Sequence, residues 1–106
     1  MKEAASTLAE EIAAASNFEY VREVGKGGHA DVVLVRHAVL GSLHVMKLIR
    51  APDPELAADL TKRLLREARV ISRLKHRHIL QISDFGFTAS GRAFMVAEYL
   101  EGRTLK

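Results

Sequence analysis

The chain has 106 residues, of which 48% are hydrophobic and 27% charged, enough for one small domain with a modest core. It contains no cysteine, which excludes a disulfide framework and a thiolate metal site. The net charge of the chain is +3, and basic residues concentrate between positions 62 and 77, a pattern more typical of a solvated helix face than of a nucleic-acid surface. Acidic residues interrupt the N-terminus and no apolar run reaches the length of a membrane span. We therefore expect a cytoplasmic chain without signal peptide or membrane segment.

The first 17 residues are rich in alanine, and Leu8 and Ile12 stand four positions apart. This spacing predicts a helix, but its apolar stripe is thin and the helix is marginal by itself. We expect residues 1–17 to form a helical extension that either packs on the domain or mediates a contact between two chains.

Residues 18–50 contain three runs rich in Val, Leu and Ile, which predict a meander of strands at about 18–25, 30–39 and 43–49. The first turn, Gly25–Gly28, would let the backbone approach a ligand closely and point amides at phosphate oxygens. A tight turn uses the same residues, so that alternative stays open. A P-loop is excluded because its pattern is absent, and a dinucleotide fingerprint because a strand follows instead of a helix.

The third run carries a lysine, Lys47, in its middle. Alternation along the strand places Leu43, Val45, Lys47 and Ile49 on one face and His44, Met46 and Leu48 on the other. Because both faces are otherwise apolar, Lys47 needs a charged partner or a cleft that holds an anionic ligand. The alternative is an edge strand whose lysine reaches solvent.

The next element is a helix that begins at Pro54, with Asp53 as its N-cap, and ends near His76. Its periodicity places four apolar residues on one stripe: Leu60, Leu64, Ile71 and Leu74. Glu67 occupies the remaining position of this stripe, and an unpaired carboxylate is costly in a core, so Glu67 needs a partner. The alternative is that Glu67 lies at the margin and pairs with Arg63 or Arg66.

Two further strands are expected at about residues 79–85 and 92–98, with a turn at 88–91. We interpret Asp84-Phe85-Gly86 as a strand end and turn. The triplet His76-Arg77-His78 has no accompanying cysteine or carboxylate pattern, which favours a structural turn over a metal site.

Five short motifs follow one another along the chain. They are Gly25-Lys26-Gly27-Gly28-His29-Ala30-Asp31-Val32, His44-Val45-Met46-Lys47, Arg66-Glu67-Ala68, His76-Arg77-His78-Ile79-Leu80 and the run from Phe94 to Leu105. In this order they resemble the G-x-G-x-x-G-x-V loop, the V-A-I-K strand, the αC-helix glutamate, the H-P-N-I-V segment and the hinge of protein kinases. The chain is therefore similar, over nearly all of residues 18–106, to the amino-terminal lobe of a eukaryotic-like bacterial Ser/Thr protein kinase.

The resemblance implies an α+β fold, a five-stranded antiparallel sheet with one packed αC helix, here preceded by an extra N-terminal helix. It implies a parent enzyme that transfers the γ-phosphate of ATP to protein hydroxyls. In that family the catalytic Asp and the Mg²⁺ ligands come from a second lobe, and no H-R-D-x-x-x-x-N sequence occurs here. We therefore expect an ATP-binding fragment that is inactive alone, with Mg²⁺ and the protein substrate held by the absent lobe. Asp84-Phe85-Gly86 precedes the hinge and is not the family's magnesium motif.

The resemblance assigns Lys47 and Glu67 as the catalytic pair that positions the phosphates, and it implies no metal ligand in this chain. It assigns the nucleotide contacts to Gly25, Lys26, Gly27, Gly28, His29, Ala30, Val32, Val45, Lys47, Ala97, Glu98 and Leu100. Three positions depart from the family pattern. Ala30 replaces the third glycine, Val45 replaces the usual alanine that faces adenine, and the small Ala97 before the hinge implies an open back pocket.

An isolated lobe exposes the surface that a second lobe would cover. We therefore expect a homodimer, formed through that surface or through residues 1–17. The alternative to the enzyme is a stand-alone or pseudokinase-like lobe that serves binding or dimerisation, and the pairing of Lys47 with Glu67 favours the enzyme. A nucleic-acid module ranks last, because the aromatic residues lie mostly in predicted strands.

Overall fold

The computed structural model describes residues 3–74 and 81–99. In these ranges the chain forms two helices and five strands. In chain order they are α1 (Glu3–Ala15), β1 (Phe18–Lys26), β2 (Ala30–His37), β3 (Leu43–Ile49), α2 (Pro54–Leu74), β4 (Ile82–Phe87) and β5 (Ala93–Glu98). Neither helix is both long and apolar enough, within the described residues, to cross a membrane.

The five strands form one antiparallel sheet in the order β1-β2-β3-β5-β4, which confirms the predicted sheet. Strands β1 to β3 form the predicted meander, and β5 lies between β3 and β4. Lys47 therefore lies in the central strand, where it pairs with Val32 on one side and Met95 on the other. The edge-strand alternative for Lys47 is wrong.

The helix α2 begins as the sequence predicts. The Leu56 amide donates to Asp53 Oδ1 at 2.9 Å, and the Ala57 amide donates to the Asp53 carbonyl at 3.0 Å. The first bond satisfies an amide that the first helical turn leaves without a partner, and the second is the first regular bond of the helix; Pro54 at the first position has no amide to satisfy. The triplet at 76–78, with the predicted helix end, lies outside the described residues.

The helix α1 covers one face of the sheet, which we call the outer face. Ile12 is 1% exposed there. It packs in a cluster with Phe18, Val33, Val35, Met46, Leu48, Phe94 and Val96. A helix that is marginal alone is thus stabilised by burying one isoleucine in the core of its own domain.

The helix α2 covers part of the opposite face, which we call the cleft face. Its apolar stripe packs with residues of β3 and β5 in a second cluster of Ile49, Leu60, Leu64, Ala68, Ala93 and Met95. The alternation predicted for β3 is confirmed, because Met46 and Leu48 belong to the outer cluster whereas Ile49 belongs to this one.

Strands β1 and β5 differ from their predicted bounds by one residue at one end, and β2 and β4 differ by two or more. β2 ends at His37 instead of 39, because the amides of Val39 and Leu40 bond to His37 Nδ1 and Gly41 adopts a φ of 79°. β4 covers Ile82–Phe87, so it extends past the predicted end at 85.

Asp84-Phe85-Gly86 consequently lies within β4 and pairs with β5, which corrects the interpretation of this triplet as a strand end and turn. A Cβ on Gly86 would come within 2.9 Å of the Phe94 ring. The glycine is therefore required for packing across the strand pair, because real Cβ atoms do not approach so closely.

Candidate functional site

The structure brings Lys47 and Glu67 together across the cleft face. Lys47 comes from the central strand β3 and Glu67 from the fourth turn of α2, and Nζ lies 3.5 Å from Oε1. Among the described residues, Glu67 forms its ion pair with Lys47 and not with Arg63 or Arg66, so the alternative pairing is wrong. The two side chains are 37% and 48% exposed.

The exposure of Glu67 corrects its predicted place in the apolar core. The stripe of α2 does bury Leu60, Leu64 and Ala68. Glu67 lies beside this stripe, where an open cavity separates α2 from β3, and its carboxylate reaches water as well as Lys47. An exposed pair of this kind contributes at most about 1 kcal/mol to stability.

A cavity of about 410 Å³ lies between the glycine turn, β3 and α2. Its lining includes Gly27 and His29 from the turn, Ala30, Val32 and Lys47 from the sheet, and Arg63 and Glu67 from the helix. Two cations, Lys47 and Arg63, therefore face one carboxylate in a partly enclosed space. This charge balance suits an anionic ligand.

The conformation of the glycine turn weighs against the tight-turn alternative. Among the described residues the glycines with positive φ are Gly41 and Gly91, so none of the turn's glycines uses the left-handed region. A Cβ at Gly25, Gly27 or Gly28 would meet nothing within 4 Å. The backbone and packing of this chain thus do not require glycine there, which leaves close approach by something else as the reason for it.

The tip of the turn also presents backbone donors. The Gly27 amide donates to the Ala30 carbonyl at 3.0 Å, which closes the hairpin. The amides of Gly28 and His29 have no acceptor in the part of the chain that the structure describes. Free backbone amides in a turn are suitable donors for phosphate oxygens.

The residues expected to contact an adenine ring lie further along the same face. Val45 and Ala97 are cross-strand partners in β3 and β5, outside the cavity lining. The Glu98 amide donates to the Gln81 carbonyl at 2.9 Å, so this amide is not available to a ligand. Leu100 lies outside the described residues. Gly25 and Lys26 belong to β1, beside the cavity but not in its lining.

The structure adds residues that the sequence did not single out. Arg50, just after β3, contacts Asp31 and the Gly27 carbonyl from the outer face. Strand alternation could have placed Asp31 and Arg50 on that face, but their pairing depends on the register between β2 and β3. Arg63 also lines the cavity, whereas helical spacing marks it only as an alternative partner for Glu67.

The chemistry of the site fits the phosphate part of ATP, because it combines free amides, a sheet lysine and turn glycines that leave room for a ligand. No group of three or more potential metal-binding side chains occurs among the described residues.

The fold and the cleft together define a class: an α+β lobe in which a sheet lysine meets a helix carboxylate beneath a glycine-rich turn. The protein kinase domain model matches residues 18–106. The chain belongs to the protein kinase family.

Similar proteins agree with this assignment. The chain is 33% identical over 88 residues to serine/threonine-protein kinase pkn2 of Myxococcus xanthus, and 32% identical over 90 residues to RAC-beta serine/threonine-protein kinase A of Xenopus laevis. These alignments cover 83% and 85% of this chain but 10% and 18% of those proteins. The crystal structure of the Mycobacterium tuberculosis PknI kinase domain aligns with a TM-score of 0.61 and 29% identity, covering 87% of this chain and 36% of that one. The chain thus spans a minor part of each relative's length.

Proposed function

We propose that this chain is the ATP-binding lobe of a Ser/Thr protein kinase. The observation that carries the proposal is the Lys47–Glu67 pair, which spans the cavity under the glycine turn. The serine/threonine kinases similar to this chain support the choice of acceptor hydroxyls. ATP, Mg²⁺ and a protein substrate are the partners of the proposed parent enzyme.

In the proposed mode of binding, the Gly28 and His29 amides and the Lys47 ammonium hold the phosphates of ATP. Glu67 accepts from the lysine and holds the ammonium toward the cavity instead of solvent. Phosphoryl transfer depends on positioning and on stabilisation of developing charge, so an oriented phosphate chain is what this lobe contributes. Mg²⁺, when bound, neutralises charge on the phosphates, and its ligands are expected in a second lobe.

The adenine ring is proposed to lie against Val32 and Val45, with Ala97 leaving space behind it. The Glu98 carbonyl and the Leu100 amide are the proposed hinge partners. This lobe alone is proposed to be catalytically inactive, because the sequence contains no H-R-D-x-x-x-x-N segment to supply a catalytic Asp.

An ATP titration of the chain and of Lys47→Ala tests the proposal. A hydrogen bond between charged groups contributes about 1.5–3 kcal/mol, so losing the ammonium should weaken binding roughly 10- to 100-fold. Stability should change by less than about 1 kcal/mol, because the pair is exposed. Lys62→Ala, which removes an exposed lysine from the same region, is the matched control. Equal affinities for Lys47→Ala and the parent chain would show that phosphates bind elsewhere or not at all.

Self-association and a cytoplasmic location complete the proposal. Val70 on α2 and Phe87 on β4 are 49% and 56% exposed, and such side chains favour contact between copies. Residues 1–17 are the less suitable of the two predicted dimer surfaces, because Ile12 is already buried within its own chain. Sedimentation that gives a monomer at every concentration would exclude the homodimer, and with it the pseudokinase-like dimerisation alternative.

A further inference from the structure

A chain of alternating charges crosses the outer face from α1 to the glycine turn. The Arg92 guanidinium bonds to Glu11 Oε1 at 3.2 Å and to Asp31 Oδ2 at 2.7 Å. Arg50 then contacts the other oxygen of Asp31 and the carbonyl of Gly27. Five groups are thus connected by consecutive contacts: Glu11 of α1, Arg92 just before β5, Asp31 of β2, Arg50 just after β3 and the Gly27 carbonyl of the turn.

The members of this chain are positioned to act as one unit. Glu11 and Asp31 are 17% and 14% exposed, and Arg92 is 24% exposed. Two carboxylates alternate with two guanidiniums, so Arg92 and Asp31 each have partners of opposite charge on both sides. Charged hydrogen bonds of this kind gain strength where water is partly excluded, and forked Arg contacts fix geometry as well as charge.

Glu11 has further partners that fix the position of α1. Ser90 Oγ donates to Glu11 Oε2 at 2.7 Å, from the turn between β4 and β5. Burial alone would raise the pKa of Glu11, but the bonds from Ser90 and Arg92 outweigh it and lower that pKa below its usual value. The carboxylate is therefore held in its charged form, which the Arg92 contact requires.

At the other end of these contacts, Arg50 donates hydrogen bonds to two backbone carbonyls of the turn. Its side chain contacts the Gly27 carbonyl, and its backbone amide donates to the His29 carbonyl at 2.8 Å. These two residues flank Gly28. Arg50 thus fixes the carbonyls on either side of the tip without occupying the amides of Gly28 and His29.

The connected groups Glu11, Arg92, Asp31 and Arg50, which we call the anchor, lie on the opposite face of the sheet from the cavity. Val33 and Phe94 belong to the apolar cluster of the outer face. Asp31 lies on the same face as Val33, and Arg92 lies on the same face as Phe94. Lys47 and Glu67 lie on the cleft face. A contact on the outer face can therefore hold the turn over the cavity while leaving the ligand space empty.

We propose that Arg50 and Asp31 are positioning residues for the glycine turn and that Glu11 of α1, through Arg92, holds them in place, so that the seating of α1 on the outer face sets the affinity for nucleotide. The first part concerns the order of the turn and is independent of any ligand. The last consequence rests on the proposed ATP-binding function.

Hydrogen exchange of the whole chain tests the positioning directly. Glu11→Gln removes the charge at nearly constant size, and Glu10→Gln, an exposed neighbour on α1, is the matched control. Exchange at the Gly27 amide should rise by about fivefold or more in Glu11→Gln, because an opened anchor eases local opening of the turn. Amides around Leu64 in α2 should keep their rates, which separates a local effect from a global loss of stability.

Arg50→Lys is the second variant, and it keeps the charge but loses the fork that contacts Asp31 and Gly27 together. Arg50 is 38% exposed, so the fold tolerates the change. Arg36→Lys, on an exposed position of β2, is its control. Faster exchange at Gly27 in Arg50→Lys but not in Arg36→Lys is the expected result. Unchanged exchange in both Glu11→Gln and Arg50→Lys would overturn the proposal.

Nucleotide affinity separates this inference from the proposed function. If the unsubstituted chain binds ATP, Glu11→Gln and Arg50→Lys should bind it several-fold more weakly than their controls do, because the turn is less ordered before binding. Equal affinities would overturn the link between α1 and the site. If the parent chain does not bind ATP while the turn still loosens, the proposed function fails and the positioning of the turn stands.

Discussion

The two faces of the sheet differ in how fully they are packed, and the proposed function places binding on the less packed one. The outer face buries a continuous apolar cluster under α1, with Val33, Met46 and Leu48 fully buried. The cleft face is packed by α2 over part of its area and leaves a cavity with half-exposed charges over the rest. The same strands serve both, because successive side chains point to opposite sides. Substitutions at neighbouring positions of one strand should therefore differ: one on the outer face should lower stability, and one on the cleft face should weaken ligand binding.

The largest contrast is expected within β3. Leu48 is fully buried on the outer face, whereas Leu43 is partly exposed on the cleft side of the same strand. Leu48→Ala should lower the free energy of unfolding by about 2–5 kcal/mol through lost burial and a cavity. Leu43→Ala should cost less than half as much. Urea denaturation of both variants measures the difference, and equal losses would contradict the division between the faces.

Two glycines give a contrast of intermediate size. Gly86→Ala should lower stability by about 1–3 kcal/mol, because the new Cβ meets the Phe94 ring. It should leave ATP affinity unchanged. Gly28→Ala meets no atom of the chain, so it should leave stability within about 0.5 kcal/mol and weaken ATP binding several-fold.

Thermal denaturation and an ATP titration of both variants measure this contrast. Gly86→Ala should change only the thermal stability, and Gly28→Ala should change only the ATP affinity. A destabilised Gly28→Ala with normal ATP affinity would return the glycine turn to a purely structural role.

The smallest effect concerns His44 on the outer face. Burial and repulsion from His37 lower the pKa of His44, and Glu98 offsets this only in part. Its ring nitrogens bond to Ser42 and Ser83 at 2.8 and 3.0 Å, which suits the neutral imidazole. The unfolded chain therefore binds this proton first as the pH falls. Stability should accordingly decrease from about pH 6.5 downward and remain level above it.

Urea midpoints at several pH values check this dependence. His44→Gln should lose part of the decrease on the acid side, because Gln has no charge to gain. His29→Gln changes an exposed residue of the glycine turn and should keep the full decrease. Identical pH profiles for the parent chain and His44→Gln would show that another group is responsible.

Local features of the fold followed from the sequence because local chemistry determines them. Asp53 and Pro54 define the start of α2, and the alternation around Lys47 separates the two faces. The place of Asp84-Phe85-Gly86 did not follow, because its glycine is explained by Phe94 on another strand. The exposure of Glu67 depends on how far α2 stands from β3, which helical periodicity does not contain.

The candidate site divides in the same way. Lys47, Glu67 and the glycine turn carry recognisable motifs, and the structure places them around one cavity. The anchor from Glu11 to Gly27 involves residues up to 81 positions apart. No motif identifies it, since each contact depends on strand register and on where α1 packs.

We expect nucleotide to bind on the cleft face under the glycine turn. Amide chemical shifts of the chain, followed while ATP and Mg²⁺ are added, report on this binding residue by residue. Changes should be centred on Gly27, Gly28, His29 and Lys47, with α1 amides near Ile12 little affected. Changes centred on α1, or saturation without any change in the glycine turn, would contradict this expectation.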